Sequence, residues 1–168
     1  EVLAVLAAVA DAWLAPASPW LERAVATLPA ATGFSAPMIS RALPAMIEPL
    51  RAAELVPLVE HQAGARRAPA LILHILPGNL PGLAAIPAAL SLAIGAAALL
   101  KPGRGDRVFP SLFIESVAAR DPGLAAGLAA VYWAGTDRRT GDAALAAADL
   151  VVAAGDDATI ADLARRTK

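Results

Sequence analysis

Four short polar clusters interrupt an otherwise apolar sequence, and they hold most of the residues able to do chemistry: LPGNLPG from Leu76, KPGRGDR from Lys101, AGTDRRTG from Ala134 and GDDAT from Gly155. In the second, Pro102 keeps Lys101 extended, and Gly103 and Gly105 let the chain pass close to a ligand. That suits a lysine reaching a ribose or a phosphate; a solvated lysine at a strand end is the plainer alternative. In the fourth, Gly155, Asp156, Asp157 and Thr159 stand where a helix begins, so backbone N–H groups and the helix dipole attract anions. The aspartates can equally cap that helix themselves, and they would then oppose a phosphate beside them. Asp156 and Asp157 make a poor acid/base pair, because adjacent helical residues point apart. Asn79 carries an amide inside a Pro-Gly-Asn-Leu-Pro turn, where Asn is a common turn residue. His74 lies within an apolar run and reads as a hydrogen-bonded core histidine.

Other chemistries are excluded by what the sequence lacks. It contains no cysteine, which removes disulfides, thiolate metal sites and a cysteine nucleophile from this chain. Its two histidines, His61 and His74, have no carboxylate partners at metal-site spacing. GRG is no dinucleotide fingerprint, and no phosphate loop of the G-x-x-x-x-G-K type occurs. With 14 basic and 15 acidic residues, the net charge of -1 gives no reason to expect nucleic acid.

The elements that must position these clusters follow from apolar spacing. Short apolar runs at Pro69 to Ile75, Ala96 to Leu100, Gly127 to Trp133 and Leu150 to Ala154 read as strands. Helical segments lie between and after them, at Leu83 to Ile94, Phe109 to Arg120, Gly141 to Ala148 and Asp156 to Arg166. This rhythm predicts an α/β fold with a parallel sheet covered by helices on both faces. In such a sheet ligands bind beyond the carboxyl ends of the strands, where all four polar clusters fall. Pro87 fits the first of these helices because it lies within the opening turn, where N–H groups need no partner. Residues 1 to 66 form a helical region in which prolines at 16, 19, 29, 37, 44, 49 and 57 cut the pattern short, with Ser18 as N-cap of a helix from Pro19 to about Leu28. Residues 67 to 168 form the α/β domain.

The chain is 58% hydrophobic over 168 residues, enough for a real core. Gly82 to Leu100 carries no charge and is long enough to test as a membrane span, but Pro87, Gly95 and the lack of an aromatic belt argue against one. The N-terminus has no basic segment of the secretory kind, so the expected location is the cytoplasm. From these features alone, a nucleotide-binding module without catalysis and an alanine-rich structural or membrane-associated protein both stay open.

The segments HILPGNLPG, LLKPGRGDRVFP, DPGLAAGLAAVYWAG and ADLVVAAGDDATI, in this order, resemble the bacterial acyl-CoA reductases. These are the fatty-acid reductases related to the bioluminescence aldehyde-forming enzyme, within the aldehyde dehydrogenase superfamily. The helical start with ATGFSAPMI is similar to that family too. The resemblance implies a Rossmann-like NAD(P)-binding domain preceded by a helical region. It implies that Asn79 donates its amide to the oxyanion of the thioester carbonyl, and that Lys101 contacts the adenosine ribose. Where NAD-preferring relatives often carry a glutamate, this chain has Arg104, which implies NADPH in preference to NADH. Gly155, Asp156 and Thr159 would meet the cofactor's pyrophosphate, although the wider superfamily commonly has Gly-Ser there. The family reaction converts fatty acyl-CoA to fatty aldehyde through a cysteine thioester, so this cysteine-free chain is expected to be the cofactor-binding part of a larger protein, inactive alone. The complete protein is expected to be a homo-oligomer, and a luciferase or an acyl-transferring subunit is suggested as partner by relatives alone.

Overall fold

The computed structural model describes residues 1–62 and 68–167. Four helices come first: α1 (Val2–Leu14), α2 (Pro19–Thr32), α3 (Ala36–Ile47) and, after a short 3-10 turn, α4 (Ala52–Gln62). Ser18 caps α2 as expected, its Oγ accepting from the Leu21 N–H at 3.2 Å. The internal prolines do not end these helices, however. Pro29, Pro44 and Pro57 lie inside α2, α3 and α4. Leu28, Leu43 and Leu55, at or beside them, are fully buried, so packing of the apolar face overrides the local cost of a missing N–H.

The remainder alternates strand and helix: β1 (Leu71–Ile75), α5 (Ala85–Ala93), β2 (Ala97–Lys101), α6 (Phe109–Arg120), the short α7 (Pro122–Ala125), β3 (Leu128–Ala130), α8 (Arg138–Ala147), β4 (Leu150–Ala153) and α9 (Asp157–Arg166). All pairings are parallel and the strand order is β3-β2-β1-β4, so the chain reverses its direction of travel between β1 and β4. This is the parallel α/β arrangement the apolar rhythm predicts, with the Rossmann-like character the family resemblance implies, and the reversal point is where such sheets open a crevice. The strand expected to reach Trp133 stops at Ala130, which frees Tyr132 and Trp133 for the loop beyond.

Register assigns the two faces. His74 pairs with Leu100 and Val152, and Leu100 joins the large core formed with α1, α2, α3, α5 and α6. Leu73 and Ile75 point the other way, into a smaller core with Trp133, Ala144 and Leu163. The helical region and one sheet face therefore share a continuous core. Trp13 of α1 sits in it, tilted against Phe109 with ring centroids 5.6 Å apart, and donates from Nε1 to the Ser116 Oγ at 2.8 Å. The expected division between residues 66 and 67 lies outside the described residues. The edge strands are the least covered: Leu150 and Val152 of β4 are each 46% exposed, and Ala129 of β3 is exposed too. Gly82 to Leu100 is divided between α5 and β2, and no single helix among the described residues is long and apolar enough to cross a membrane.

His74 is a core residue. Because the Ser91 Oγ donates to the Pro87 carbonyl, it accepts from His74 Nε2 at 2.8 Å, which assigns the proton of the neutral ring to that nitrogen. Burial lowers the pKa of the ring, in keeping with a neutral imidazole.

The loops after β1 and β2 meet backbone to backbone. A Cβ at Gly78 would lie 2.8 Å from the Gly105 nitrogen and 2.9 Å from the Gly103 carbonyl carbon, and a Cβ at Gly103 would collide with the Gly78 backbone nitrogen. The glycines expected to let the chain approach a ligand instead let one loop approach the other. Asp106, at the base of this junction, is 3% exposed, and its Oδ1 has no partner among the described residues. Burial pushes its carboxyl up to about 7 against the opposing pull of the Gly82 and Phe109 backbone amides.

Two outcomes follow for stability. Gly103→Ala should destabilise the fold by about 3 kcal/mol or more, since neither backbone can yield, whereas Gly135→Ala, with open space around it, should change urea unfolding little. For Asp106, the folded chain retains a proton that the unfolded chain releases near pH 4, so stability is greatest below that pH and falls as pH rises towards about 7. Asp106→Asn should remove a loss on the order of 2 kcal/mol between pH 5 and pH 8, read as the variant-minus-parent difference in urea midpoint at the two pH values.

Candidate functional site

The carboxyl ends of β1 and β2, the loop after β3 and the two helices α8 and α9 enclose a cavity of about 330 Å³. Its floor and walls are apolar, formed by Ile75, Trp133, Leu145 and Leu163, and its polar residues stand around them. Lys101 enters from the end of β2, and Ala158 and Thr159 from the first turn of α9. Both Lys101 and Ile75 occupy the sheet face that carries the smaller core, as their pairing requires.

Helices α8 and α9 are held together by ion pairs that also line the cavity. Arg138 of α8 reaches Asp162 of α9 at 2.6 Å, and Arg166 of α9 reaches Asp142 of α8 at 2.7 Å while contacting Asp162 at 3.1 Å. The hydrogen bond from Arg138 holds the Asp162 carboxyl below its ordinary range, and Asp142 raises the Arg166 guanidinium. These two arginines are thus neutralised by the protein itself. Lys101 has no ion-pair partner among the described residues; its ammonium faces the Tyr132 and Trp133 rings, 5.9 Å from each centroid. Burial lowers its pKa, with Tyr132 acting in the opposite direction.

Of the residues singled out in the sequence, Lys101 and Thr159 share this cavity. Gly155 and Asp156 stand at its margin, in the turn into α9. Asp156 caps that helix, Oδ1 accepting from the Thr159 N–H at 2.7 Å, and this bond lowers its pKa. Asn79 is exposed in the loop after β1, at the same edge of the sheet but outside the cavity lining, and its amide makes no hydrogen bond among the described residues. Arg104 is exposed at the tip of the loop after β2, where its carbonyl accepts from the Arg107 Nε at 3.2 Å.

Sequence reasoning missed Trp133, Arg138, Arg166 and Arg107. The aromatic pair falls in the run expected as a strand, and the sequence reading assigns no role to the helical arginines. The signal that was available is spacing: Arg138 and Asp142, and Asp162 and Arg166, are i,i+4 pairs, which mark helix faces that can cross-link.

The arrangement is an apolar slot beside a helix N-terminus and an uncompensated cation, at the reversal point of a parallel sheet. In comparison with known proteins, the model of a family described as acyl-CoA reductase (LuxC) matches residues 60–168. No curated protein matches the chain. The matched span is well over half of the sequence and holds all four strands, both interlocked loops and every residue of the cavity. The chain therefore belongs to the acyl-CoA reductase (LuxC) family.

Proposed function

We propose that this chain is the cofactor-binding part of an NADPH-dependent acyl-CoA reductase that converts fatty acyl-CoA to fatty aldehyde. The observation that carries the reading is the cavity between α8 and α9, of about 330 Å³, in which Ile75, Trp133, Leu145 and Leu163 supply apolar surface and Lys101 and the first turn of α9 also line the space. The donor set fits a pyridine dinucleotide. Ile75, Trp133, Leu145 and Leu163 offer apolar contact to an adenine, Lys101 offers a donor to its ribose, and the backbone amides of the first turn of α9 favour a pyrophosphate beside Gly155 and Thr159. Asp156 spends its carboxylate on the Thr159 amide, so the charge that would oppose that phosphate is partly engaged. Arg104, near the lysine, adds positive charge that favours the 2′-phosphate of NADPH. When bound, the nicotinamide supplies a hydride.

In this reading Asn79 serves the acyl carbonyl. Its free amide stands on the loop that Gly78 locks against the lysine-bearing loop, an arrangement suited to a preorganised donor to a developing oxyanion. The thiolate that would take the acyl group from coenzyme A is not in these residues, since the chain has no cysteine. It must come from another part of the complete protein, and the exposed Leu150 and Val152 on β4 are apolar surface that such a part could cover.

Thermal unfolding in the presence of NADPH, NADH and coenzyme A tests the reading, because a ligand raises the midpoint only by binding the native state. NADPH should raise it more than NADH, Lys101→Ala should abolish most of the rise, and Arg104→Glu should narrow the difference between the two cofactors. No rise with any of them would defeat the proposal. In the complete protein, Asn79→Ala should lower kcat by about a hundredfold while leaving the nucleotide-induced shift intact.

A further inference from the structure

The two interlocked loops share a second contact, made by one carboxyl. Asp106 lies near the end of the loop after β2, and its own N–H donates to the Gly103 carbonyl at 3.2 Å. Its side chain accepts from the Gly82 amide, on the way from β1 to α5, and from the Phe109 amide, at the start of α6. One residue therefore spans both loops and the helix that follows them. Its partners have little play. A Cβ at Gly82 would lie 3.0 Å from Leu43 and Met46 of α3, so that backbone is wedged against the helical region, and Phe109 is fully buried. Asp106 Oδ1 is buried in turn, with no hydrogen-bond partner among the described residues.

No charge meets this carboxyl. The groups acting on it are the two amides, and burial outweighs them, which favours the protonated form. On its own loop Arg104 and Arg107 are exposed, with the Arg107 guanidinium carbon 4.4 Å from the Tyr132 centroid, and Lys101 faces Tyr132 and Trp133. On α3 and α6, and in the turn after α3, Arg41, Glu48, Glu115 and Arg120 are exposed. Helix α5 has no titratable residue, and His74, bound to it through Ser91, is neutral.

We propose that Asp106 is a pH-sensitive latch: protonated, it holds the loops after β1 and β2 together, and ionised, it releases them, so that the placement of Asn79 relative to Lys101 loosens as pH rises towards neutrality. Linkage fixes the direction. In the released junction a solvated aspartate titrates near about 4, whereas in the closed junction burial pushes it up to about 7. Between those values only the released form gives up its proton, so the ratio of released to closed junction rises about tenfold per pH unit and levels off above about 7. The latch belongs to the ligand-free chain and stands whichever ligand the cavity takes.

Hydrogen exchange of the full chain without ligand, read amide by amide between pH 5.5 and 8.5 and corrected for the intrinsic chemical rate, tests it. The amides of Leu76, Gly82, Asp106 and Phe109 should exchange through an opening more frequent than that of Leu73, which is fully buried in β1. The equilibrium constant of that opening should rise about thirtyfold from pH 5.5 to 7 and little above. Asp106→Asn, uncharged at every pH, should flatten the profile to within about threefold. Carbon-13 titration of the Asp106 carboxyl in the parent gives a reading that needs no variant, and its midpoint should coincide with the pH at which the opening levels off. A flat parent profile, a profile that survives Asp106→Asn, or a carboxyl that titrates like the exposed aspartates would overturn the latch. Junction amides that exchange no faster than Leu73 would overturn it too, because the opening is then unfolding of the whole chain.

Discussion

The arrangement of the site depends on the absence of side chains at Gly78, Gly103 and Gly105. Only bare backbone allows the loop after β1 and the loop after β2 to touch as they do. That contact couples the two strands beyond their last paired residues, where the Leu76 N–H still donates to the Lys101 carbonyl at 3.0 Å. Asn79 is carried on one loop, and Lys101, Arg104 and Arg107 on or beside the other. A proposed oxyanion donor and a proposed cofactor clamp are in this way parts of one rigid unit rather than two independent loops.

Asp106 shows what such close packing costs. Closing the junction places a carboxyl where water does not reach, and two backbone amides only partly offset the lost solvation, so the group favours its protonated form near neutral pH. A hydrophobic residue would avoid that cost but would leave the Gly82 and Phe109 amides without an acceptor. The junction therefore exchanges stability at higher pH for a defined loop geometry, a pattern common where loops hold functional groups.

Much of the fold was legible because strand and helix periodicities are local. Phe109–Arg120 agrees in both bounds, and β1, β2 and β4 agree within two residues. What failed was decided by tertiary contact. Pro29, Pro44 and Pro57 break helices in isolation, yet buried leucines beside them keep α2, α3 and α4 intact. Tyr132 and Trp133 continue an apolar run by composition, but β2 offers β3 a ladder of only three residues, so the aromatics leave the sheet and turn into the site. At the site itself, Lys101 was legible from its place at a strand end. The contact of Gly78 with Gly103 was not, because nothing in either loop's sequence specifies what lies opposite it.

Charge compensation is the step that periodicity cannot supply and geometry can. The sequence shows basic residues in each polar cluster but not which are matched. In the folded chain Arg138 and Arg166 face carboxylates across the α8–α9 interface, and their charge is consumed in holding two helices of which little else is buried. Lys101 and Arg107 face aromatic rings instead. A ring attracts a cation but does not neutralise it, so the half-buried Lys101, in the lining of the cavity, keeps its charge uncompensated by any carboxylate among the described residues. The asymmetry arises from pairing geometry although the chain as a whole carries a net charge of -1.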